Sequence, residues 1–385
     1  MMFDAARNAA PGIADIAPYV PGRTIVEVAR ELGTTDITDI IKLASNENPL
    51  GVSPMAVAAM AASLERGHQY PEVINPVLQE ALGAANGVAP DCVVTGNGAD
   101  SILLAAALAF LRPGDEVLVP EVTFDMYRIA ALTKGATVVD VPMPDLELTA
   151  DAILERIGGR TRMVFLCNPN NPTGALFPRA AMRRLLAALP ERVVLVHDEV
   201  YREFADPEAF PELRARAAGG HGNLILVRSM AKAYGLAGVR FGYGIMAADT
   251  AALLHRVRPP FDTSVLAQAA ALAALQDEQF LHRTLDLNRC GKRQLYAAFA
   301  QLGLDAVPSH ANFILVHVGR PAAAVARRLL EQGVIVRAPR HPALARHLRV
   351  SIGTTQELQR FIAALRRTLA EPACDTEAPG SGAGR

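Results

Sequence analysis

The chain reads as an α/β protein, with a large domain built on a mostly parallel central sheet flanked by helices and a small α/β domain after it. Three observations predict this. From Asp91 onward, short apolar strands alternate with helical stretches, the order that yields a largely parallel sheet with helices on its faces. Several of those strands stop abruptly in turns rich in Gly, Asn or Asp, where open α/β sheets place their ligands. Past residue 255 the run Arg256-Val257-Arg258-Pro259-Pro260-Phe261 breaks the pattern, and a smaller strand-and-helix set follows. The expected division is an N-terminal arm packing with the small domain (1–40), the large domain (41–262), the small domain (263–370) and a disordered tail (371–385) rich in Pro, Gly, Ser and Ala.

Composition narrows the class. With 385 residues, 51% of them hydrophobic, the chain can fill a core of that size. Lys+Arg (38) and Asp+Glu (39) nearly cancel and no basic run stands out, which argues against a nucleic-acid partner. Cys92, Cys167, Cys290 and Cys374 show no metal-binding spacing, so reduced thiols in a cytoplasmic protein and no metal are expected. The first ten residues lack a signal-peptide core, and the longest apolar run, Ile102 to Leu111, is too short to span a bilayer. Neither export nor membrane insertion is expected.

In chain order, residues 1 to about 12 read as a loose arm. Ile16 to Gly22 sets two prolines and a glycine around Tyr19, and a helix follows over Ile25 to Leu32. Leu43-Ala44-Ser45-Asn46-Glu47-Asn48-Pro49-Leu50-Gly51 is a structured loop, and Ser53-Pro54 caps a helix that ends before Gly67. Gln69-Tyr70-Pro71-Glu72 then interrupts the helical pattern.

The strand Val93-Val94 leads through Gly96-Asn97-Gly98-Ala99-Asp100 into an apolar helix, Ser101 to Leu111. A glycine turn opening a helix collects free N–H groups and the positive dipole end, which makes an anion site; taken alone, such a turn is also a common way to change direction. No Gly-Lys-Ser/Thr follows, and the dinucleotide fingerprint is incomplete. After the strand Glu116 to Val119, Phe124 stands at a helix start, either as core or as a flat ring able to stack on a ligand. The run Arg162 to Cys167 stops at Asn168-Pro169-Asn170-Asn171-Pro172-Thr173-Gly174, a rigid loop rich in amide donors. Val193 to Val196 runs into His197-Asp198-Glu199-Val200-Tyr201; an acid at a buried strand end needs a cation, although Asp198 by itself also fits a helix N-cap.

The strand Leu224 to Val227 delivers Ser229-Met230-Ala231-Lys232-Ala233-Tyr234-Gly235, a lone lysine among small and apolar neighbours. Desolvation lowers an ammonium pKa, so Lys232 is a candidate Schiff-base former. Arg240 follows eight positions on, across glycines that let the backbone approach a ligand anion. In the small domain come helices over Ser264–Leu275 and Glu278–Leu302, a strand Asn312–Val316, a helix Ala322–Leu330, strands Val334–Arg337 and Leu348–Ile352, and a final helix Gln356–Leu369. Arg337 and Arg349 stand on those strands, where the default for a single arginine is an exposed edge charge.

The Lys232 segment, the Asn-Glu-Asn-Pro-Leu-Gly loop, the Tyr70-Pro71 pair, Asn-Pro-Thr-Gly and Asp-Glu-x-Tyr together, in this order, resemble the histidinol-phosphate aminotransferase family of fold-type I pyridoxal-phosphate-dependent transferases. The resemblance spans about residues 16 to 369. It implies a pyridoxal 5'-phosphate cofactor on Lys232, with Asp198 at the ring nitrogen, Tyr201 and Asn171 at the ring oxygen, and Phe124 stacked on the ring. Ser229, Arg240 and the amides of Ala99 and Asp100 would hold the phosphate, helped by Tyr70 from a neighbouring subunit, which implies a homodimer. Arg349, Arg337, Tyr19 and Asn171 would bind the substrate, an amino donor or 2-oxoglutarate. The family usually carries Ser or Thr where this chain has Ala231, so one phosphate hydroxyl is expected to be missing. An aromatic amino-acid aminotransferase, a threonine-phosphate decarboxylase of the same architecture and a non-catalytic relative are the competing readings.

Overall fold

The computed structural model describes residues 3–220 and 222–371. The expected disordered tail lies, from residue 372, outside the described residues. In chain order the strands are β1 (Ile41–Leu43), β2 (Val93–Gly96), β3 (Glu116–Pro120), β4 (Thr137–Val141), β5 (Thr161–Cys167), β6 (Val194–Asp198), β7 (Leu224–Ser229), β8 (Gly242–Ile245), β9 (Phe313–His317), β10 (Val334–Val336) and β11 (His347–Ser351). Seven of them form the central sheet in the order β2-β8-β7-β6-β5-β3-β4. It is parallel except for β8, which runs antiparallel to both β7 and β2.

The strands β5, β6 and β7 are apolar almost throughout because both of their faces are covered. Their two-residue period sorts the side chains. Phe165, Val196 and Val227 face one side, with Ile102, Leu103 and Tyr127. Val164, Leu166, Leu195 and Leu226 face the other, with Leu78, Leu82 and Phe241. Asp198 continues the first set and His197 the second, so the neighbours of each were decided by parity before any side chain was placed.

The remaining strands build the small unit. There, β1 pairs in parallel with β10, β9 pairs antiparallel with β11, and a single bridge between Arg337 and Arg349 joins the two ribbons. Their apolar faces bury Phe299, Ile314, Val350 and Phe361 under the helices Glu278–Gln301, Ala322–Glu331 and Thr355–Ala370. The last of these helices begins with a capping box between Thr354 and Glu357.

The packing shifts two of the expected boundaries. β1, expected to open the large domain, belongs instead to the small unit, because Ile41 and Leu43 are buried in its core. The helix Val265–Gln276, expected in the small domain, lies in the large core. Its small face, Ala267, Ala270, Ala271 and Ala274, sits close against the helix Pro54–Ser63. The arm helix Ile25–Leu32 packs Val28 and Ala29 against Ile335 of β10. Among the described residues no helix is long and apolar enough to cross a membrane, and no cluster of three or more metal-ligating side chains occurs. Cys92, Cys167 and Cys290 are free thiols.

Candidate active site

The carboxyl ends of β3, β5, β6 and β7 point to one edge of the sheet, as expected for a parallel α/β fold. A cavity of about 530 Å³ opens there, closed from above by the small unit and the 15–22 segment. Twelve of the thirteen site residues expected from sequence line it: Tyr19, Ala99, Asp100, Phe124, Asn171, Asp198, Tyr201, Ser229, Lys232, Arg240, Arg337 and Arg349. The thirteenth, Tyr70, does not. It is 82% exposed and stacks on Phe261, with ring centroids 4.7 Å apart.

Lys232 is held by the loop between β7 and β8. Met230 and Leu236 are fully buried, Met230 N–H donates to Phe241 O (3.1 Å), and Leu236 N–H donates back to Met230 O (3.0 Å). Gly235 turns the loop at φ +72°, where any Cβ would overlap the carbonyl of Gly51. This clamp aims the lysine at the cavity, with Nζ 5.9 Å from the Tyr201 ring centroid. Burial first, and then the nearby Arg349 charge, push its pKa down to about 8.

Asp198 ends β6 at 2% exposure. Its Oδ2 accepts from the Tyr127 hydroxyl (2.7 Å) and its Oδ1 from Val200 N–H (3.1 Å), yet no arginine or lysine among the described residues pairs with it. Burial therefore outweighs these donors and raises its pKa to about 6. A buried carboxylate in this state favours an added cation.

The amide-rich loop after β5 divides its asparagines. Asn168 bonds both ways with the backbone of Phe177, and Asn170 Nδ2 donates to Val122 O (2.9 Å), so these two hold the loop. Asn171 faces the cavity, its Oδ1 accepting from Arg349 Nη1 (2.7 Å), which leaves its NH2 as a donor. The Tyr201 hydroxyl accepts from Asn46 Nδ2 (3.0 Å), and its own proton is likewise left to donate. Burial raises the Tyr201 pKa, keeping it protonated.

An anion cradle closes the other end. The helix Ala99–Phe110 begins at Gly98 (φ 80°, ψ 171°) with no side-chain cap, so its first N–H groups stay open. Gly242 of β8 lies beneath, where a Cβ would overlap Ala99 N. Ser229 Oγ accepts from Ala231 N–H (3.1 Å) and keeps its own proton for donation. Arg240, itself at φ +65°, reaches over Gly98 to within 3.4 Å of Asp100 Oδ2. Ala231 lines the same cavity and supplies a methyl at the position where the sequence led us to expect a missing hydroxyl.

Two more groups complete the walls. The Phe124 ring meets Tyr19 edge-on (6.4 Å) and Tyr127 edge-on (5.8 Å). Arg349 gives Nη2 to Ala44 O (2.5 Å) besides its bond to Asn171, while its buried Nε has no partner among the described residues. Arg337 Nη2 donates to Val20 O (2.8 Å), tying the arm to the rim. Two residues of the site were not singled out from sequence. Asn46 (φ 55°) joins Tyr201 to Ser351 Oγ, and Tyr127 holds Asp198. The turn-forming loop around Asn46 was the only signal for the first; Tyr127 carried none beyond its place in a helix start.

A family model described as aminotransferase class I and II matches residues 38–365. The chain is 44% identical over 358 residues to a histidinol-phosphate aminotransferase of Moorella thermoacetica, covering 93% of this chain and 92% of that one. It is 46% identical over 359 residues to histidinol-phosphate aminotransferase 2 of Ralstonia nicotianae, covering 92% and 96%. Among solved structures it is similar to the histidinol-phosphate aminotransferase of Sinorhizobium meliloti in complex with pyridoxal-5'-phosphate, with a TM-score of 0.87, 28% identity and coverage of 94% and 98%. An aspartate aminotransferase double mutant of Thermus thermophilus matches at a TM-score of 0.79 and 26% identity, covering 95% and 100%.

Proposed function

The chain belongs to the class I and II aminotransferase family, and from that premise we propose that it is a pyridoxal-phosphate-dependent histidinol-phosphate aminotransferase. It would convert L-histidinol phosphate and 2-oxoglutarate into imidazole acetol phosphate and L-glutamate, in the cytoplasm. The observation that carries this reading is that a lysine of lowered pKa and a buried, cation-free carboxylate face one cavity.

The donor set fits the cofactor at each of its polar points: Asp198 for a pyridinium, the free protons of Asn171 and Tyr201 for the ring oxygen, and the open helix start with Ser229 and Arg240 for the phosphate. When bound, pyridoxal phosphate supplies an aldehyde and an electron-accepting ring. Lys232 Nζ would hold the cofactor through that aldehyde, and the same amine is the base placed to take a proton from the substrate carbon bearing nitrogen. Asp198 would hold the ring nitrogen in its protonated form, and Phe124 would lie against the ring face. Arg349 presents a planar cation that binds a phosphate or a carboxylate in the same forked geometry, so one pocket serves both half-reactions. Arg337 and Tyr19 add donors that a phosphate can use more fully than a single carboxylate.

Tyr70 supports a homodimer. With Phe261 it makes an exposed aromatic pair that does not line its own cavity, and it would reach the phosphate of a second copy. The test of the whole reading is Lys232→Ala. The purified variant should lose the visible absorbance of the lysine-bound cofactor and all amino transfer from histidinol phosphate, whereas the wild type should prefer that donor to phenylalanine, tyrosine or threonine phosphate. Amino transfer retained by the variant, or carbon dioxide release by the wild type, would refute it.

A further inference from the structure

Tyr127 is fully buried at the start of the helix Met126–Leu132. Its ring stacks on Phe165 at 5.0 Å and 10°, and its edge contact with Phe124 fixes the aromatic that faces the cavity. Its hydroxyl has little freedom, because the ring on both sides is packed, and it donates to Asp198 Oδ2 at 2.7 Å. Burial and then the Asp198 charge hold the phenol well above its ordinary pKa, so it remains a donor throughout the working range. Cys167, level with Asp198 on the neighbouring strand, turns its thiol to Pro169 O (3.3 Å). Among the described residues, the donors to the Asp198 carboxylate are therefore the phenol and one backbone amide.

We propose that Tyr127 is a positioning residue that decides where the shared proton rests between Asp198 and the ring nitrogen of bound pyridoxal phosphate. The inference rests on the cofactor reading above. A hydrogen bond donated to a carboxylate stabilises its charged form and lowers its proton affinity. With Tyr127 donating, the single shared proton stays on the ring nitrogen, and Asp198 remains the anion. Without it, only the Val200 amide is left to offset burial at Asp198, and the same proton moves to the carboxylate, leaving a neutral pyridine that withdraws electrons less well. No other atom changes hands. The hydroxyl thus acts on the reaction through Asp198 and never touches the substrate.

Tyr127→Phe removes the hydroxyl and keeps both ring contacts. Holoenzyme would be prepared with pyridoxal phosphate carrying nitrogen-15 in the ring, and the nitrogen chemical shift read by NMR at one pH. The wild type should lie in the pyridinium range and Tyr127→Phe should move towards neutral pyridine. With it, kcat should fall roughly tenfold or more, the usual size for losing a hydrogen bond to a charged group, while KM for histidinol phosphate stays nearly unchanged. Replacement of Tyr127 by 3-fluorotyrosine, a stronger donor of the same shape, should instead keep the ring protonated and the wild-type kcat. That second variant decides the matter if Tyr127→Phe binds no cofactor, since a neutral ring in it would overturn the proposal. A ring shift in Tyr127→Phe identical to the wild type overturns this inference alone. Failure of the wild type to take up pyridoxal phosphate overturns the cofactor reading and this inference together.

Discussion

At Lys232 burial and chemistry pull in different directions. Its pKa in the folded protein is about 8, against an ordinary value of 10.5 in an unfolded chain. Between those values the unfolded chain binds more protons, so the cost of burying this ammonium is full below pH 8 and disappears as the pH rises through 10.5. The same displacement sets reactivity, because only the neutral amine attacks an aldehyde. The rate at which cofactor-free protein takes up pyridoxal phosphate should rise with pH and level off above about pH 8, which stopped-flow absorbance can follow; a rise continuing unchanged to pH 10 would mark an ordinary solvated lysine. Asp198 has the opposite sign. Its pKa is raised from 3.8 to about 6, so its cost is absent below pH 3.8 and complete above pH 6. Asp198→Asn should therefore stabilise the cofactor-free protein at pH 8 by about 1–3 kcal/mol, and by less at pH 5, while weakening cofactor binding. Thermal melts of the cofactor-free proteins at the two pH values would read this, and a destabilised variant at pH 8 would contradict it.

Among the elements, the turn from β2 into the helix Ala99–Phe110 does the most with the fewest atoms. Gly98 adopts a backbone region that only glycine enters without strain, and a Cβ there would fall on the guanidinium of Arg240. Two costs should thus appear together in Gly98→Ala. Strain of about 1–3 kcal/mol would lower the melting temperature of the cofactor-free protein. Displacement of Arg240 would weaken pyridoxal phosphate binding by roughly ten- to a hundredfold, the worth of one charge-assisted hydrogen bond. Equilibrium binding followed by absorbance separates the two, and unchanged affinity would remove Arg240 from the cradle. The ribbons of the small unit act similarly: the bridge between Arg337 and Arg349 sets two guanidinium groups on the same rim of the cavity, one tied to the arm through Val20 and one to Asn171.

At the scale of the whole molecule the decisive fact is that Tyr70 lies outside the cavity its chain encloses. If a second copy supplies it, the two defects Tyr70→Ala and Lys232→Ala sit in different sites of a mixed dimer. Each homodimer would be impaired. In a mixed dimer one site would receive both intact residues and the other neither. Unfolding and refolding an equimolar mixture should then restore activity to about a quarter of the wild-type level, since half of the dimers are mixed and each holds one good site. No recovery above the mean of the two variants would show that Tyr70 serves its own chain or none.

The sequence by itself determined the architecture and most of the chemistry, because both depend on local signals. Buried parallel strands must be nearly continuous apolar runs, and ligand-binding side chains must sit just past their ends, so Asn171, Asp198, Ser229 and Lys232 are legible wherever a run stops. β8 was not legible, since Gly242-Tyr243-Gly244-Ile245 has little strand character of its own and is a strand only because β7 and β2 flank it. Nor was β1, whose three residues become a strand through β10, far along the chain. Side-chain meetings belong wholly to the tertiary structure. Tyr127 reaches Asp198, and Asn46 reaches Tyr201, because strand parity and the docking of the small unit bring together groups that no sequence spacing relates. A strand end announces that a residue is available; only the packed fold decides which donor it finds.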